Sequence, residues 1–237
     1  MKALADIHLH IIPDVDDGAR DIDEALEMID MAVSQGIGVI FATPHSFAFD
    51  YGDGTAFEEF ENLKEIVTEK YPGLEMRLGT EMHCVADYLE ENIEMLNKGY
   101  YPTMGGTGYV LTEFRRFGTT EEEAIFCVKR LTEAGYIPII AHVERYEFVS
   151  TESVNKLKEL GSMIQINYFS VDKELEKQIR DLANELLRER LVDMMGSDGH
   201  RLDHRPPYLG TAELYDRYPE DYIAQITYGN VKKLLLS

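Results

Sequence analysis

Short apolar runs alternate with longer amphipathic ones along the chain. Seven runs read as strands: "KALADIHLH", "GVIFATPH", "EMRLGTE", "GYVLTEF", "YIPIIAHVE", "SMIQINY" and "VDMMGSDGH". Helical patterns lie between most of them. "DIDEALEMIDMAVSQG" puts Ala25, Met28, Ile29, Ala32 and Val33 on one face. "TTEEEAIFCVKRLTEAG" opens on Thr and Glu and stops at Gly135, as a helix should. "DKELEKQIRDLANELLRERL" predicts a long helix with Leu175, Ile179, Leu182 and Leu186 at helical spacing. The final "EDYIAQITYGNVKKLLLS" predicts one helix or two short ones, and 46–57 reads as a surface loop. Strand–helix alternation predicts a parallel sheet. Seven units predict a barrel-like closure, and the absence of repeats or a Pro/Ser-rich linker predicts one α/β domain over 1–237.

Composition narrows the class. The chain has 237 residues, 44% hydrophobic, enough for a substantial core. Its formal net charge of −21 opposes nucleic-acid binding, which needs clustered Lys and Arg. Two cysteines make no disulfide framework and fit a reducing cytosol. "DIHLH" is reached within six residues, leaving no room for a signal core, and no apolar run suits a membrane span. The expectation is a cytoplasmic protein without membrane insertion.

The polar residues then change the picture. Strands favour β-branched and aromatic residues, yet His8 and His10 flank Leu9 at the end of the first run. His45 ends the second run, Glu81 the third, Glu113 the fourth and His142 the fifth, while Asp198 and His200 end the last. Active sites of α/β barrels are assembled at these C-terminal strand ends. Alternate residues of a strand share a face, so His8 and His10 reach one point, as do Asp198 and His200. Asp6, on the same face, is placed to orient a ligand imidazole.

With Asp17, five imidazoles and four carboxylates exceed what one zinc takes, and suit two or three divalent ions. Without a thiolate the site favours Mn, Fe, Zn or Co. Three divalent ions against four carboxylates leave a pocket near +2, by order-of-magnitude charge counting, that attracts phosphate. Arg145 and Arg205 add guanidinium forks for its oxygens. Neither Cys84 nor Cys127 carries the Arg six positions on that a cysteine phosphatase needs; Glu90 and Glu133 stand there.

"DIHLHIIPDVDDGA", "ATPH", "GTE", "YVLTEF", "GYIPIIAHVERY" and "SDGHRLDHRPP" occur in this order from residue 6 to 207. Together they resemble the PHP (polymerase and histidinol phosphatase) superfamily, and within it the bacterial capsular-polysaccharide type of protein-tyrosine phosphatase. The resemblance implies a distorted (β/α)7 barrel of the PHP type and a trinuclear site, commonly manganese. It implies metal ligation by His8, His10, Asp17, His45, Glu81, Glu113, His142, Asp198 and His200, and phosphate binding by Arg145 and Arg205. Asp17 is preferred to Asp16 because the family ligand directly precedes the Gly. The substrate implied is a phosphotyrosine protein, a bacterial tyrosine kinase tail of exopolysaccharide or capsule regulation. Val143, Gly199 and "SFAFDYGDG" depart from the family pattern at the rim. Rival readings are a histidinol-phosphate or other small-molecule phosphatase, an amidohydrolase, which would usually need a metal-bridging lysine, and a catalytically inactive metal-binding scaffold.

Overall fold

The computed structural model describes residues 4–49, 52, 54–172 and 176–236. Eight strands follow: β1 (Leu4–Leu9), β2 (Ile37–Ala42), β3 (Glu75–Leu78), β4 (Glu81–His83), β5 (Tyr109–Glu113), β6 (Ile137–Ile140), β7 (Met163–Asn167) and β8 (Met194–Gly196). All pair in parallel, in the orders β1-β2-β3 and β4-β5-β6-β7-β8. Single bridges join the two sheets at both seams, Leu9 to Gly199 and His45 to Glu81. The strands therefore run round a distorted barrel. The third predicted run is interrupted: Gly79 and Thr80 separate β3 from β4. A Cβ on Gly79 would meet Met104 Sδ at 2.5 Å, so the break brings backbone against a core side chain.

The helices are α1 (Ile22–Ser34), α2 (Thr55–Lys70), α3 (Leu89–Asn97), α4 (Glu121–Glu133), α5 (Thr151–Glu159), α6 (Lys177–Arg188), α7 (Thr211–Arg217), α8 (Glu220–Ala224) and α9 (Lys232–Leu235). Asp21 caps α1 by accepting from Glu24 N, and Thr120 caps α4 by accepting from Glu123 N. The loop expected over 46–57 is shorter, because Ser46–Phe49 forms a 3-10 turn and α2 starts at Thr55. Residues 50, 51 and 53 of that loop, Leu175, and residues 2 and 3 of the first run lie outside the described residues. The last segment forms α8 and α9 with a π-helical turn, Gln225–Gly229, between them.

The core has two layers. Ala5, Ile7, Phe41, Leu111, Ile139 and Met194 meet from different strands, and Met104, Val231 and Leu234 join them. Side chains from strands right round a ring meet only inside it, so this layer fills the barrel below the site. A larger layer packs strands on helices, with Ala25, Met28, Ile29 and Ala32 of α1 and Leu186 of α6 fully buried. No helix among the described residues is long and apolar enough to cross a membrane.

Candidate metal centre

The first strand aims two imidazoles through an irregularity. Asp6 pairs with Ile40 of β2, and Leu9 with Ala42, so β1 carries one extra residue between them. Such a bulge re-aims side chains. His8 and His10 emerge with their Nε2 atoms 3.1 Å apart. His8 Nε2 lies 3.1 Å from Glu81 Oε1, and His10 Nε2 lies 3.2 Å from Glu81 Oε2. The bulge also takes Asp6 out of the role read for it. Its Oδ1 accepts the backbone N–H of Ser197 at 2.8 Å and that of His8 at 3.3 Å, and no imidazole. Asp16 does that work instead: its Oδ2 accepts from His10 Nδ1 at 2.7 Å and from His45 N at 3.0 Å, while Oδ1 accepts from Gly18 N. Gly18 is required there, since a Cβ would lie 2.3 Å from the His10 carbonyl oxygen.

The other donors arrive from neighbouring strand ends. His45 Nδ1 is 3.1 Å from Glu81 Oε2, and its Nε2 is 3.4 Å from Asp17 Oδ1. His142 Nε2 is 3.0 Å from Glu81 Oε1 and 3.5 Å from Glu113 Oε1. His200 Nε2 is 3.3 Å from Asp17 Oδ1. Asp198 Oδ1 lies 3.6 Å from His8 Nε2. Asp198 and His200 are not strand residues, because β8 ends at Gly196 and Asp198 takes a φ of 52°. His142 (φ 30°) and Arg205 (φ 56°) share this left-handed backbone, which disfavours side chains and recurs at functional sites. Arg145 and Arg205 both donate to Asp198 Oδ2, at 2.8 and 2.7 Å.

All nine predicted donors thus fall within overlapping clusters: His10, Asp17, His45 and His200; His8, His10 and Asp198; His8, Glu81 and His142; His45, Glu81 and Glu113. His83 sits at the rim, 47% exposed, with Nδ1 3.6 Å from Glu113 Oε2. The charges are mutually dependent. Burial works against the Glu81 carboxylate, yet His8, His10, His142 and His45 hold it well below its ordinary range. Burial raises Glu113, as does Glu81, but His142 and His83 bring it down to about 2.

The structure adds three buried polar residues that strand-end reasoning passed over. Gln165 Oε1 accepts the His142 backbone N–H at 2.7 Å and faces His8 Nδ1 at 3.4 Å. Gln165 Nε2 donates to Asn167 Oδ1, and Asn167 Nδ2 donates to Asp198 Oδ2 at 3.1 Å. Glu144 is buried and accepts from Asn167 N and from Ser170 Oγ. The signal was present in "IQIN", whose two amides alternate through a fully buried strand. The thiol of Cys84, bonded towards Cys127 and buried, is held well above its ordinary value. That is the opposite of an activated nucleophile.

The donor set fits a metal. Two imidazole nitrogens 3.1 Å apart, both turned on one carboxylate, are compatible only with a shared proton or a cation between them. Barrel and centre together define a metal-dependent hydrolase of the α/β-barrel type. The chain belongs to the CpsB/CapC family of capsular polysaccharide synthesis, whose model matches residues 4–236. The tyrosine-protein phosphatase CpsB of Streptococcus pneumoniae is 32% identical over 231 residues, 94% of this chain and 92% of its own. One chain among the crystal structures of YwqE from Bacillus subtilis and CpsB from Streptococcus pneumoniae, metal-dependent tyrosine phosphatases, matches with a TM-score of 0.84 at 27% identity. It covers 98% of this chain and 94% of the other. A β-aspartyl dipeptidase of Fervidobacterium islandicum shares the fold alone, with a TM-score of 0.61 at 15% identity, over 98% of this chain and 72% of its own.

Proposed function

We propose that this chain is a metal-dependent phosphomonoesterase acting on phosphotyrosine in proteins, with 1–237 working as one cytoplasmic domain. The observation that carries the reading is the convergence of nine imidazole and carboxylate donors beside two guanidiniums fixed on one of them. His8, His10, Asp17, His45, Glu81, Glu113, His142, Asp198 and His200 would hold two or three divalent ions, with manganese the expected metal. When bound, such ions make water nucleophilic near neutral pH and offset phosphate charge.

The chain's own residues supply the rest. Asp16 and Gln165 fix the rings of His10 and His8 from behind, so that their Nε2 atoms point inward. Arg145 and Arg205 each keep further N–H groups free of Asp198 to receive phosphate oxygens. Their fixed forks favour charge that develops in the transition state. A phenolate leaving group needs little protonation, which suits a site without an evident general acid. The substrate expected is a bacterial tyrosine kinase of exopolysaccharide or capsule regulation.

The test is phosphate release from a phosphotyrosine peptide and from histidinol phosphate, each with Mn²⁺ and with chelator. Mn²⁺-dependent turnover that favours the peptide is expected. A preference for histidinol phosphate would move the protein to small-molecule chemistry, and turnover indifferent to chelator would remove the metal from the reading.

A further inference from the structure

Four helices of this barrel end alike. Gly36 follows α1, Gly99 follows α3, Gly135 follows α4 and Gly161 follows α5, with φ of 94°, 73°, 93° and 98°. Glycine is the usual residue there, because the left-handed backbone disfavours any side chain. Helix α6 makes the same turn with Arg190, at φ 55°. The arginine holds a position that glycine would fill with less strain.

Its guanidinium lies over the Tyr222 ring, 5.4 Å from the centroid. Arg217 lies likewise over Tyr218, at 5.6 Å. With Arg188 these residues line a cavity of about 440 Å³, and no carboxylate lines it among the described residues. Neutral groups hold its walls in place. Arg217 donates to Asn184 Oδ1, Tyr218 Oη donates to the same oxygen at 2.6 Å, and Tyr222 Oη donates to the Val192 carbonyl at 3.2 Å. Arg190 and Arg217 are therefore oriented by neutral groups, with Arg188 lining the cavity beside them. None of the three forms an ion pair with a carboxylate among the described residues, in a chain of net charge −21, although Arg188 and Arg217 also border a neighbouring cavity lined by Asp181 and Glu185. Val192 precedes β8, so the cavity lies at the end of the barrel away from the metal centre.

We propose that this cavity is a second ligand site, which binds a phosphate monoester whose molecule also carries a planar ring. Three guanidiniums suit the oxygens of a dianion. The Tyr and Arg faces suit the ring beside it. The proposal does not depend on the function of the metal centre. The competing account is structural, since a helix C-terminus favours cations whatever binds there.

Calorimetric titration of the metal-loaded full chain with phenylphosphonate, a non-hydrolysable aryl phosphate analogue, is expected to show two sites per chain. Arg188→Gln and Arg190→Gly are each expected to weaken one site by about tenfold or more, as loss of a charge-assisted hydrogen bond does, and to leave the other site and turnover within about twofold. The melting temperature of Arg190→Gly is expected to hold or rise, since glycine suits the turn. A single wild-type site weakened by both variants supports the proposal and counts against the metal centre instead, whereas a single site that survives in both variants overturns it. So do two sites that both survive in both variants, whatever happens to the melting temperature. A peptide carrying phosphonomethyl-phenylalanine and a nucleoside 5′-phosphonate separate a protein-borne ring from a nucleotide. Tighter binding of one at the Arg188-dependent site names the source, and binding of neither also overturns the proposal.

Discussion

His8 and His10 face each other through their Nε2 atoms at 3.1 Å, with the two oxygens of Glu81 at 3.1 and 3.2 Å. Without a cation, this buried cluster holds together only by sharing protons among imidazoles and carboxylates. A divalent ion binds the folded arrangement and not the unfolded chain, so it stabilises by mass action. The gain is about 2.7 kcal/mol at a hundredfold excess over Kd. Scanning calorimetry is expected to show a melting temperature that falls on chelation and rises again, with concentration dependence, on adding Mn²⁺. Equal melting temperatures with and without metal would detach these residues from metal binding.

Asp16 bonds His10 Nδ1 at 2.7 Å from a buried position. It fixes the ring orientation and tautomer, and leaves Nε2 as the inward donor. Asp16→Asn keeps the shape and removes the charge. Metal affinity is expected to fall by roughly ten- to a hundredfold, as for other groups that support a metal-bound histidine. The fold is expected to survive. Titration of the purified variant with Mn²⁺, read by metal content, checks this, and unchanged affinity would leave Asp16 a turn residue only.

The contrast between Asp16 and Asp6 shows what was legible before the fold was known. The strand-end histidines and acids stood out because imidazole and carboxylate at successive strand ends have a chemical reason and no packing reason. The helix stops were legible because Gly135 and its counterparts answer a backbone need. The bulge between Asp6 and Leu9 was not, since a strict alternation predicts Asp6 beneath His8 and nothing local announces the extra residue. Asp16 escaped because the turn folds back on His10 through local bonds, Ala19 N–H to the His10 carbonyl and Asp16 to His10 Nδ1, that residue order alone does not announce. Gln165 and Asn167 escaped because the amides end no strand in a charge, although their alternation mirrors that of His8 and His10. The left-handed turns at His142 and Asp198 carry no composition signal, because left-handed positions usually select glycine and here carry the chemistry.

Arg145 and Arg205 meet on a single oxygen, Asp198 Oδ2, which Asn167 also approaches. Two guanidiniums on one carboxylate oxygen hold each other's geometry, so each fork is aimed before substrate arrives. Losing a donor aimed at developing charge costs about 10²–10³ in kcat. Arg205→Ala and Arg145→Ala are each expected to lose turnover on that scale while metal content stays unchanged. Lysine at either position is expected to recover little, since a point charge does not replace the planar fork. Steady-state kinetics with parallel metal analysis reads both, and full activity in either alanine variant would leave that arginine outside the reaction.

The metal-free protein is expected to lose stability as pH rises above neutrality. Burial opposes a charge on His10, yet Asp16 and Glu81 push it up to about 9. Burial likewise opposes His142, and Glu113 and Glu81 push it up to about 10. Both folded values exceed the ordinary 6.5, so from there upward the folded state holds protons that the unfolded chain has released. The stabilisation is complete below about 6.5 and disappears as pH passes through 9 and 10. The carboxylates behave oppositely. Asp17, bonded by His200 and His45, is held far below its ordinary value of 3.8, so its contribution is complete above that pH and is lost as pH falls below it. Urea midpoints of the chelated protein are therefore expected to decline between pH 7 and 10. Metal affinity is expected to climb over the same range, because binding must displace the same protons. A flat stability profile from 7 to 10 would mean that the imidazoles are already neutral at pH 7, and that the carboxylates around them do less than their distances imply.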